Sequence, residues 1–219
     1  MFKFVESDIL IASYPRSGNT WMRFLLANLI YPDCVWNANW IQMFCPDTHQ
    51  VCKEMVRKIK APRILKTHIP KAQKGRCIYL IRNPYEICSS YYGRYIRRNS
   101  RTQTDFNSFV RKFVKGKVGG YSRWDSHVES WSDKPGLEGY YIRYEDILQA
   151  SSFNKVLIEI AETLFDKKVT IRDVQVAMVK ARLQQQRVRT KHKPALTREH
   201  KDLIYGEFAT TMEKFNYRR

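Results

Sequence analysis

The residues with the strongest chemical character follow an apolar run near the start of the sequence. Ile9-Leu-Ile-Ala predicts a buried strand, and Tyr14-Pro-Arg-Ser-Gly-Asn-Thr-Trp21 follows it as a tight turn that opens into a helical pattern. This order brings several backbone N–H groups and a helix N-terminus to one point, which is how many proteins bind phosphate or sulfate. The backbone of residues 17–20 and the guanidinium of Arg16 therefore predict an anion cradle.

This cradle differs from the Walker A loop of nucleoside triphosphatases. When Gly18 and Thr20 are aligned with the last glycine and the hydroxyl of G-x-x-x-x-G-K-[ST], Ser13 stands in place of the first glycine. Asn19 then stands in place of the phosphate-binding lysine, and the cation lies within the loop as Arg16. The loop is therefore expected to bind an anion other than the magnesium-bound triphosphate of an ordinary NTPase.

Three further apolar runs also end in polar residues. They lead into Lys66-Thr67-His68, Arg82-Asn83-Pro84 and Tyr144-Glu145-Asp146. Helical patterns alternate with these runs, which predicts a P-loop-type three-layer α/β fold whose central parallel sheet is covered by helices on both faces. Sites in such sheets lie at the carboxyl ends of the strands, so the polar segments are expected to meet there.

Periodicity and capping signals predict the helices that position these segments. Apolar residues recur at helical spacing in five stretches, and a basic, polar stretch from Gln184 to Lys193 predicts a mobile loop. The first of the five predicted helices runs from Thr20 to Ile30, and the second starts at Pro84. The third starts behind a Ser151-Ser152 cap, the fourth starts at Thr170 with a capping box to Asp173, and the fifth starts near Thr197.

Length and composition bound the class of protein. The 219 residues suit a single domain, 1–219, and the formal net charge of +18 predicts an anionic partner without choosing among nucleic acid, acidic glycan, membrane surface or phosphorylated nucleotide. No apolar stretch reaches the roughly 18 residues of a membrane span, and charges interrupt the N-terminal segment where a signal peptide would be apolar. The five cysteines are not spaced as a disulfide framework, so we expect a protein of the reducing cytoplasm.

The four polar segments, taken together, resemble those of the cytosolic-type sulfotransferases, which use 3′-phosphoadenosine 5′-phosphosulfate (PAPS). The family signature Tyr-Pro-Lys-Ser-Gly-Thr-Thr-Trp is similar to residues 14–21, and its Lys-Thr-His-Leu-Pro is similar to residues 66–70. Its Arg-Asn-Pro motif, with a serine eight residues after the arginine, is similar to residues 82–90, and its Tyr-Glu-Asp to residues 144–146. The resemblance extends from Ile9 to about Asp146.

The resemblance implies roles for individual residues. The backbone of residues 17–20 and Arg16 would hold the 5′ end of PAPS, and Arg82 with Ser90 would hold its 3′-phosphate. His68 would be the base that takes the proton of the acceptor hydroxyl, which is worth roughly 10²–10⁴ in rate. Lys66 and Arg16 would stabilise charge during transfer, and no metal is expected. The cofactor-binding set is then Arg16, Ser17, Gly18, Asn19, Thr20, Trp21, Arg82, Ser90 and Tyr144, where Trp21 and Tyr144 would contact the adenine.

Two departures from the family pattern affect this reading. Arg16 stands where the family usually has lysine, and a guanidinium binds phosphate in a bidentate manner but does not donate a proton at neutral pH. The family's late Arg-Lys-Gly-x-x-Gly-Asp-Trp segment is absent, so Arg187, Arg189 or Lys191 is expected to complete the 3′-phosphate site.

Several residues also have structural interpretations. Trp21 could be a core residue, Tyr144 a packed strand-end aromatic, and Glu145 and Asp146 could only cap or pair. Three groups remain open between structure and function. The first group holds either ordinary thiols or zinc ligands and consists of Cys34, Cys45, His49 and Cys52. The second belongs either to the core or to an acceptor pocket and consists of Tyr121, Trp124, His127 and Trp131. The third is either a solvated basic face or a cluster that steers an anion, and consists of Arg94, Arg97, Arg98 and Arg101.

The sequence therefore predicts an enzyme that transfers the sulfuryl group of PAPS to an acceptor hydroxyl, or secondarily an amine, and releases 3′-phosphoadenosine 5′-phosphate (PAP). The basic charge favours an acidic or bulky acceptor, although steering of PAPS would explain it equally. Nucleic acid is not the expected partner. The alternatives are a P-loop small-molecule kinase, which Asn19 opposes, and a non-catalytic polyanion or nucleic-acid binder, which would leave His68 and Arg82 without a purpose.

Overall fold

A four-stranded parallel sheet forms the centre of the fold. The computed structural model describes residues 4–51, 53–60, 62–69, 75–98, 105–132, 136–148, 150–186 and 193–218. Within them the strands stand in the order β2-β1-β3-β4, and every neighbouring pair is parallel. The strands are β1 (Ile9–Ser13), β2 (Ile64–Thr67), β3 (Gly75–Ile81) and β4 (Leu137–Arg143).

Helices cover both faces of this sheet, as the alternating pattern predicted. A 3₁₀ turn at Asp146–Leu148 follows β4. None of the helices in the described part of the chain is long and apolar enough to cross a membrane. The helices are α1 (Asn19–Ile30), α2 (Ile41–Phe44), α3 (Lys53–Lys58), α4 (Pro84–Arg98), α5 (Phe106–Val114), α6 (Trp124–Ser132), α7 (Ala150–Phe165), α8 (Ile171–Gln186) and α9 (Arg198–Lys214).

The two faces of the sheet bury separate apolar layers. Alternate residues of β1 point to opposite faces, so Leu10 and Ala12 pack with α4, α5, α6 and α9, whereas Ile11 packs with α1, α7 and α8. Side chains of β1 are completely buried because both layers cover it. The resulting sandwich predicts little freedom for the strand ends.

Most predicted helix boundaries are confirmed. Thr170 and Asp173 exchange backbone and side-chain hydrogen bonds at the start of α8, and Thr197 caps α9 in a capping box with His200. The cap predicted at Ser151-Ser152 is wrong, since α7 begins at Ala150 and both serines lie within its first turn. Ile147, in the preceding 3₁₀ turn, is buried in the same apolar layer as α7.

The loop predicted for residues 184–193 is partly wrong. Helix α8 continues to Gln186, because residues of its inner face, including Ala181, are buried against the α1 layer. Residues 187–192 lie outside the described part of the chain.

A buried ion pair fixes the chain where β1 begins. The Arg63 guanidinium donates from Nε to Asp8 Oδ1 at 2.8 Å and from Nη2 to Oδ2 at 2.6 Å. Asp8 and Arg63 are 1% and 6% exposed, so the pair lies away from water. It joins the residue before β1 to the residue before β2, at the edge of the sheet opposite the polar strand ends.

Replacing Arg63 with Met should lower the free energy of unfolding by about 3–5 kcal/mol, because the Asp8 carboxylate would remain buried without its cation. Arg198→Met is the matched control: Arg198 is 92% exposed and lies 4.0 Å from Asp202, so its loss should cost less than about 1 kcal/mol. Urea unfolding of both variants measures the difference. Equal effects would contradict the structural role of the buried pair.

Candidate active site

The four polar strand ends line one large cavity. It has a volume of about 930 Å³ and lies at the carboxyl edge of the parallel sheet. We call it the main cavity. Residues from every predicted segment line it, namely Arg16, Lys66, His68, Arg82 and Tyr144. The convergence expected from a parallel sheet is therefore observed.

The turn after β1 has an unusual backbone. Arg16 and Gly18 have φ angles of +76° and +99°, in the left-handed region. A Cβ atom on Gly18 would lie 2.5 Å from Tyr144 Cδ2, so only glycine allows the turn to approach this ring. Ser17 is fully buried between these two residues. The turn and the end of β4 thus form one packed wall of the main cavity.

The start of α1 is tied to the sheet. The Asn19 amide donates to the Ile11 carbonyl at 3.0 Å and to Ser13 Oγ at 3.2 Å, so the side chain at the Walker lysine position has a structural contact with β1. Thr20 lines the cavity. Trp21 is a core residue, since it is 3% exposed and its ring centre lies 6.2 Å from that of Phe153, and it also lines the cavity.

Arg16, Arg82 and Ser90 form a cationic cluster, although 66 to 74 positions separate Arg16 from the other two. Arg16 Nε donates to Ser90 Oγ at 2.9 Å, and Arg82 Nη1 donates to the Arg16 carbonyl at 3.0 Å. The Arg82 guanidinium also lies over the Tyr144 ring, 4.3 Å from its centre, and reaches Glu86 at 3.3 Å. The cluster concentrates positive charge at one end of the main cavity.

Lys66 lies in the same cavity as half of a buried ion pair. Its Nζ donates to Asp47 Oδ2 at 2.5 Å, and the two residues are 6% and 1% exposed. Asp47 reaches this place because its segment pairs with β2 beside Lys66. Burial lowers the pKa of Lys66, while the Asp47 carboxylate opposes the shift. The pair therefore places a cation beside the cavity with its charge balanced.

His68 is oriented by a backbone carbonyl. Its Nδ1 lies 2.7 Å from the Ser13 carbonyl oxygen, which can only accept, so Nδ1 carries the proton and Nε2 carries the lone pair. Burial lowers the pKa of His68 well below 6.5, and the charge of Lys66 lowers it further. The imidazole is therefore neutral at neutral pH, with the protonation state of a general base.

His127 supports His68 from the core. Its Nε2 donates to the His68 carbonyl at 3.3 Å, and its Nδ1 accepts from the Tyr79 hydroxyl at 2.8 Å. Burial lowers the pKa of His127 to about 4, so it holds this position as a neutral ring. The core interpretation is confirmed for Trp124, His127 and Trp131, whereas Tyr121 precedes α6 and lines the main cavity.

Two residues of the site, Asp47 and His49, carried no signal in the sequence for the contacts that they make. Asp47 belongs to no motif, and its importance follows from its contact with Lys66. His49 drew attention only as a zinc ligand; in the structure it lines the cavity and its ring stacks on His68 at 6.1 Å. Glu145 accepts from the Asn83 backbone N–H at 3.0 Å and from the Tyr217 hydroxyl at 2.8 Å, which confirms the expectation that it pairs.

Some predicted residues lie outside the described ranges. They are Arg187, Arg189, Lys191, Arg101 and Cys52. Cys34 is exposed, Cys45 is buried, and both are free thiols. Across the described residues there is no group of three or more His, Cys, Asp or Glu side chains that could hold a metal ion. Arg94, one of the predicted basic cluster, lies within α4 and lines the main cavity.

The fold and the strand-end motifs define a sulfotransferase domain. The sulfotransferase domain family matches residues 6–164, and the chain belongs to this family. Sulfotransferase 1A1 of Bos taurus is 30% identical over 192 residues, an alignment that covers 77% of this chain and 63% of the bovine protein. Sulfotransferase 1 family member D1 of Mus musculus is 32% identical over 167 residues, covering 67% of this chain and 55% of the mouse protein. The chain thus spans less than two thirds of the length of these relatives.

Solved structures share the same fold. Mouse sulfotransferase SULT7A1 complexed with PAP superposes with a TM-score of 0.71 at 19% identity, covering 96% of this chain and 86% of that protein. Retinol dehydratase in complex with androsterone and inactive cofactor PAP gives a TM-score of 0.67 at 14% identity, covering 100% of this chain and 84% of that protein. These likenesses confirm the predicted α/β fold.

His68 should remain neutral down to well below pH 6.5, because its burial and the Lys66 charge both disfavour the imidazolium. Long-range ¹H–¹⁵N NMR of histidine-labelled protein measures its midpoint and its tautomer. Lys66→Met should raise the midpoint, and the matched change Lys201→Met on exposed α9 surface should leave it unchanged. A wild-type midpoint at or above 6.5, or a proton on Nε2, would contradict the assignment.

Proposed function

We propose that this chain is a PAPS-dependent sulfotransferase that transfers a sulfuryl group to an acceptor hydroxyl, or secondarily an amine, and releases PAP. One observation carries the proposal: a cationic cluster and a neutral histidine with a basic Nε2 share the main cavity. Family membership supports the reaction class, and the PAP complexes of proteins with this fold support the nucleotide.

The nucleotide end of the cavity fits a donor with two anionic ends. Ser17 Oγ and Arg82 Nε are buried and have no hydrogen-bond partner in the described part of the chain, so each can donate a hydrogen bond to an anionic ligand without losing one within the protein. The close approach of Gly18 to Tyr144 leaves a cradle that a larger residue would fill. In this proposal the backbone of residues 17–20 and Arg16 bind the 5′ end, and Arg82 with Ser90 bind the 3′-phosphate.

His68 acts as the base of the reaction. Its Nε2 accepts the proton of the acceptor hydroxyl as the acceptor oxygen forms its bond to sulfur. The donor supplies the sulfuryl group, whose bond to the 5′-phosphate oxygen breaks in the same displacement. The Ser13 carbonyl keeps Nδ1 protonated, which directs proton transfer to Nε2. Because the imidazole is neutral beforehand, no proton has to be removed before transfer begins.

Lys66 and Arg16 stabilise the charge that develops on the transferring group and on the departing phosphate. Lys66 is already oriented by Asp47, so it needs little reorganisation during transfer. Arg16 is a permanent cation, and its role is binding and stabilisation rather than proton donation. The tautomer and the low pKa of His68 therefore support its role as the base in this proposal.

The two alternatives have less support. A P-loop kinase would need a cation at position 19, whereas the Asn19 amide is held by the backbone and a serine of β1. A polyanion binder would not need a neutral His68 oriented by Ser13. A steep loss of DNA or RNA affinity with rising salt, together with no response to PAP, would favour that alternative.

Two wider predictions from the sequence belong to this proposal. A single domain over residues 1–219 is supported by the packing of α8 on the α1 layer and of α9 on the α5 layer. The cytoplasmic location remains a prediction, which fractionation of the source cells would test.

His68→Asn should lower turnover by about 10²–10⁴ while PAP affinity changes only a few-fold. The Asn amide can still donate to the Ser13 carbonyl, but it lacks the basic Nε2, so the change separates base chemistry from structure. Release of PAP from PAPS with an acceptor used by the wild type measures turnover. His200→Asn is the matched control on α9, and normal turnover in His68→Asn would remove the base assignment.

Arg82→Met should lower the affinity for PAP by about 10–100-fold, as expected for loss of a charged hydrogen bond. It should change the affinity for AMP much less, because AMP lacks the 3′-phosphate. Thermal shifts measure the binding of both nucleotides, since a ligand at 100 times its dissociation constant adds about 2.7 kcal/mol to the free energy of unfolding. Arg111→Met on the exposed face of α5 is the control. Equal losses for PAP and AMP would show that Arg82 does not bind the 3′-phosphate.

A further inference from the structure

The wall of the main cavity around His68 is polar. Asp47, His49, Gln50, Lys66 and Tyr121 line the cavity together with His68. No Leu, Ile, Val, Met or Phe lines the main cavity anywhere in the described part of the chain. The carbon surface that an apolar acceptor would need is limited to tyrosine rings, Trp21, a proline and glycine.

The charges of this wall cancel. Lys66 and Asp47 form a buried pair, and burial lowers the pKa of His49, so this histidine is neutral at neutral pH, as is His68. Gln50 and Tyr121 are uncharged. The other cations that line the cavity are Arg16, Arg82, Arg94 and Lys193. Arg16 and Arg82 belong to the cationic cluster, and Lys193 lies 4.0 Å from Glu86, which also contacts Arg82. Among the described residues, the lysine beside the base is therefore already paired with a carboxylate.

His49 presents a hydrogen-bond donor next to the base. Its Nε2 accepts the backbone N–H of His68 at 3.2 Å, so the neutral ring carries its proton on Nδ1. The His49 ring stacks on His68 with 6.1 Å between centres, and the edge of Tyr121 contacts both rings at 5.8 and 5.9 Å. Gln50 follows with an exposed amide that both donates and accepts.

We propose that the acceptor is an uncharged, hydroxyl-rich compound of the sugar or polyol class, and that His49 and Gln50 bind hydroxyls adjacent to the one that reacts. This inference rests on the proposed sulfotransferase function. The acceptor hydroxyl gives its proton to His68 Nε2, its oxygen bonds to sulfur, and the bond from sulfur to the nucleotide phosphate breaks. The neighbouring hydroxyls only bind.

The polar wall gives the reason for this selectivity. A ring without hydroxyls would displace water from His49 and Gln50 without replacing the hydrogen bonds. Sites built to bond a substrate hydroxyl reject analogues that lack it by factors of up to about 10⁴–10⁵. The acidic acceptor that the net charge suggested is not favoured by this wall, because the lysine beside the base is already paired.

The experiment compares acceptors that share a six-membered ring. Wild-type protein is incubated with ³⁵S-labelled PAPS and the methyl glycosides of glucose, galactose and mannose. Cyclohexylmethanol, which keeps the ring and the primary hydroxyl but lacks the other hydroxyls, is the apolar comparison, and methyl glucuronide is the acidic one. At least one neutral glycoside should exceed both in kcat/KM by 10-fold or more.

Two variants test the assigned residues. Gln50→Leu and His49→Leu should raise KM for the preferred glycoside by about 10-fold with a smaller change in kcat, because both residues bind acceptor hydroxyls without taking part in bond breaking. His49→Asn, which keeps a donor, should recover part of the loss. Gln175→Leu makes the same chemical change on the exposed surface of α8 and should leave KM unchanged. Thermal shift by PAP confirms that each variant is folded and binds nucleotide.

Each other result overturns the inference. Faster transfer to cyclohexylmethanol or to methyl glucuronide would overturn the acceptor class while leaving the sulfotransferase function intact. No transfer to any glycoside, with stabilisation by PAP retained, would also overturn it without touching nucleotide binding. Loss of PAP stabilisation in the wild type would instead contradict the proposed function on which the inference rests. An unchanged KM in Gln50→Leu and His49→Leu would remove their assignment as acceptor contacts.

Discussion

The parallel pairing of β1 with both of its neighbours is the constraint on which the site depends. Because Ala12 pairs with Thr67 and Ser13 with Leu80, the residues that follow β1, β2 and β3 all emerge at one edge of the sheet. Strand β4 pairs with β3 in the same direction and brings Tyr144 against Gly18. The two apolar layers that bury β1 hold these strand ends in place, so the main cavity gains its geometry from the core rather than from its own polar contacts.

Within this frame, backbone groups of the sheet control the chemistry of the side chains. The Ser13 carbonyl selects the tautomer of His68. The side-chain amide of Asn19 donates its hydrogen bonds to the Ile11 carbonyl and the Ser13 hydroxyl of β1. Burial then keeps His68 neutral and lowers the pKa of Lys66. These effects leave a neutral histidine and a paired lysine beside each other in the cavity, whereas Arg16 and Arg82 form the cationic cluster with Ser90.

The fold could be predicted in most of its parts because it depends on local patterns. Short apolar runs gave the four strands, helical periodicity gave the long helices, and Thr170 and Thr197 marked helix starts through side-chain capping. The Ser151-Ser152 cap was wrong because α7 begins at Ala150, so that neither serine precedes the helix. The predicted loop began too early, at Gln184, because packing of its inner face extends helix α8 to Gln186.

The sequence by itself determined which strand ends carry chemistry, since Arg16, Lys66, His68 and Arg82 are fixed in type and in order along the chain. Only the tertiary structure decided what surrounds them. Asp47 neutralises Lys66, and His49 stacks on His68, because a segment outside every motif pairs beside β2. Spacing along the chain specifies local hydrogen bonding and periodicity, whereas contacts between distant segments depend on how the strands and helices pack, and this packing decides charge balance, tautomer and the polarity of the cavity wall.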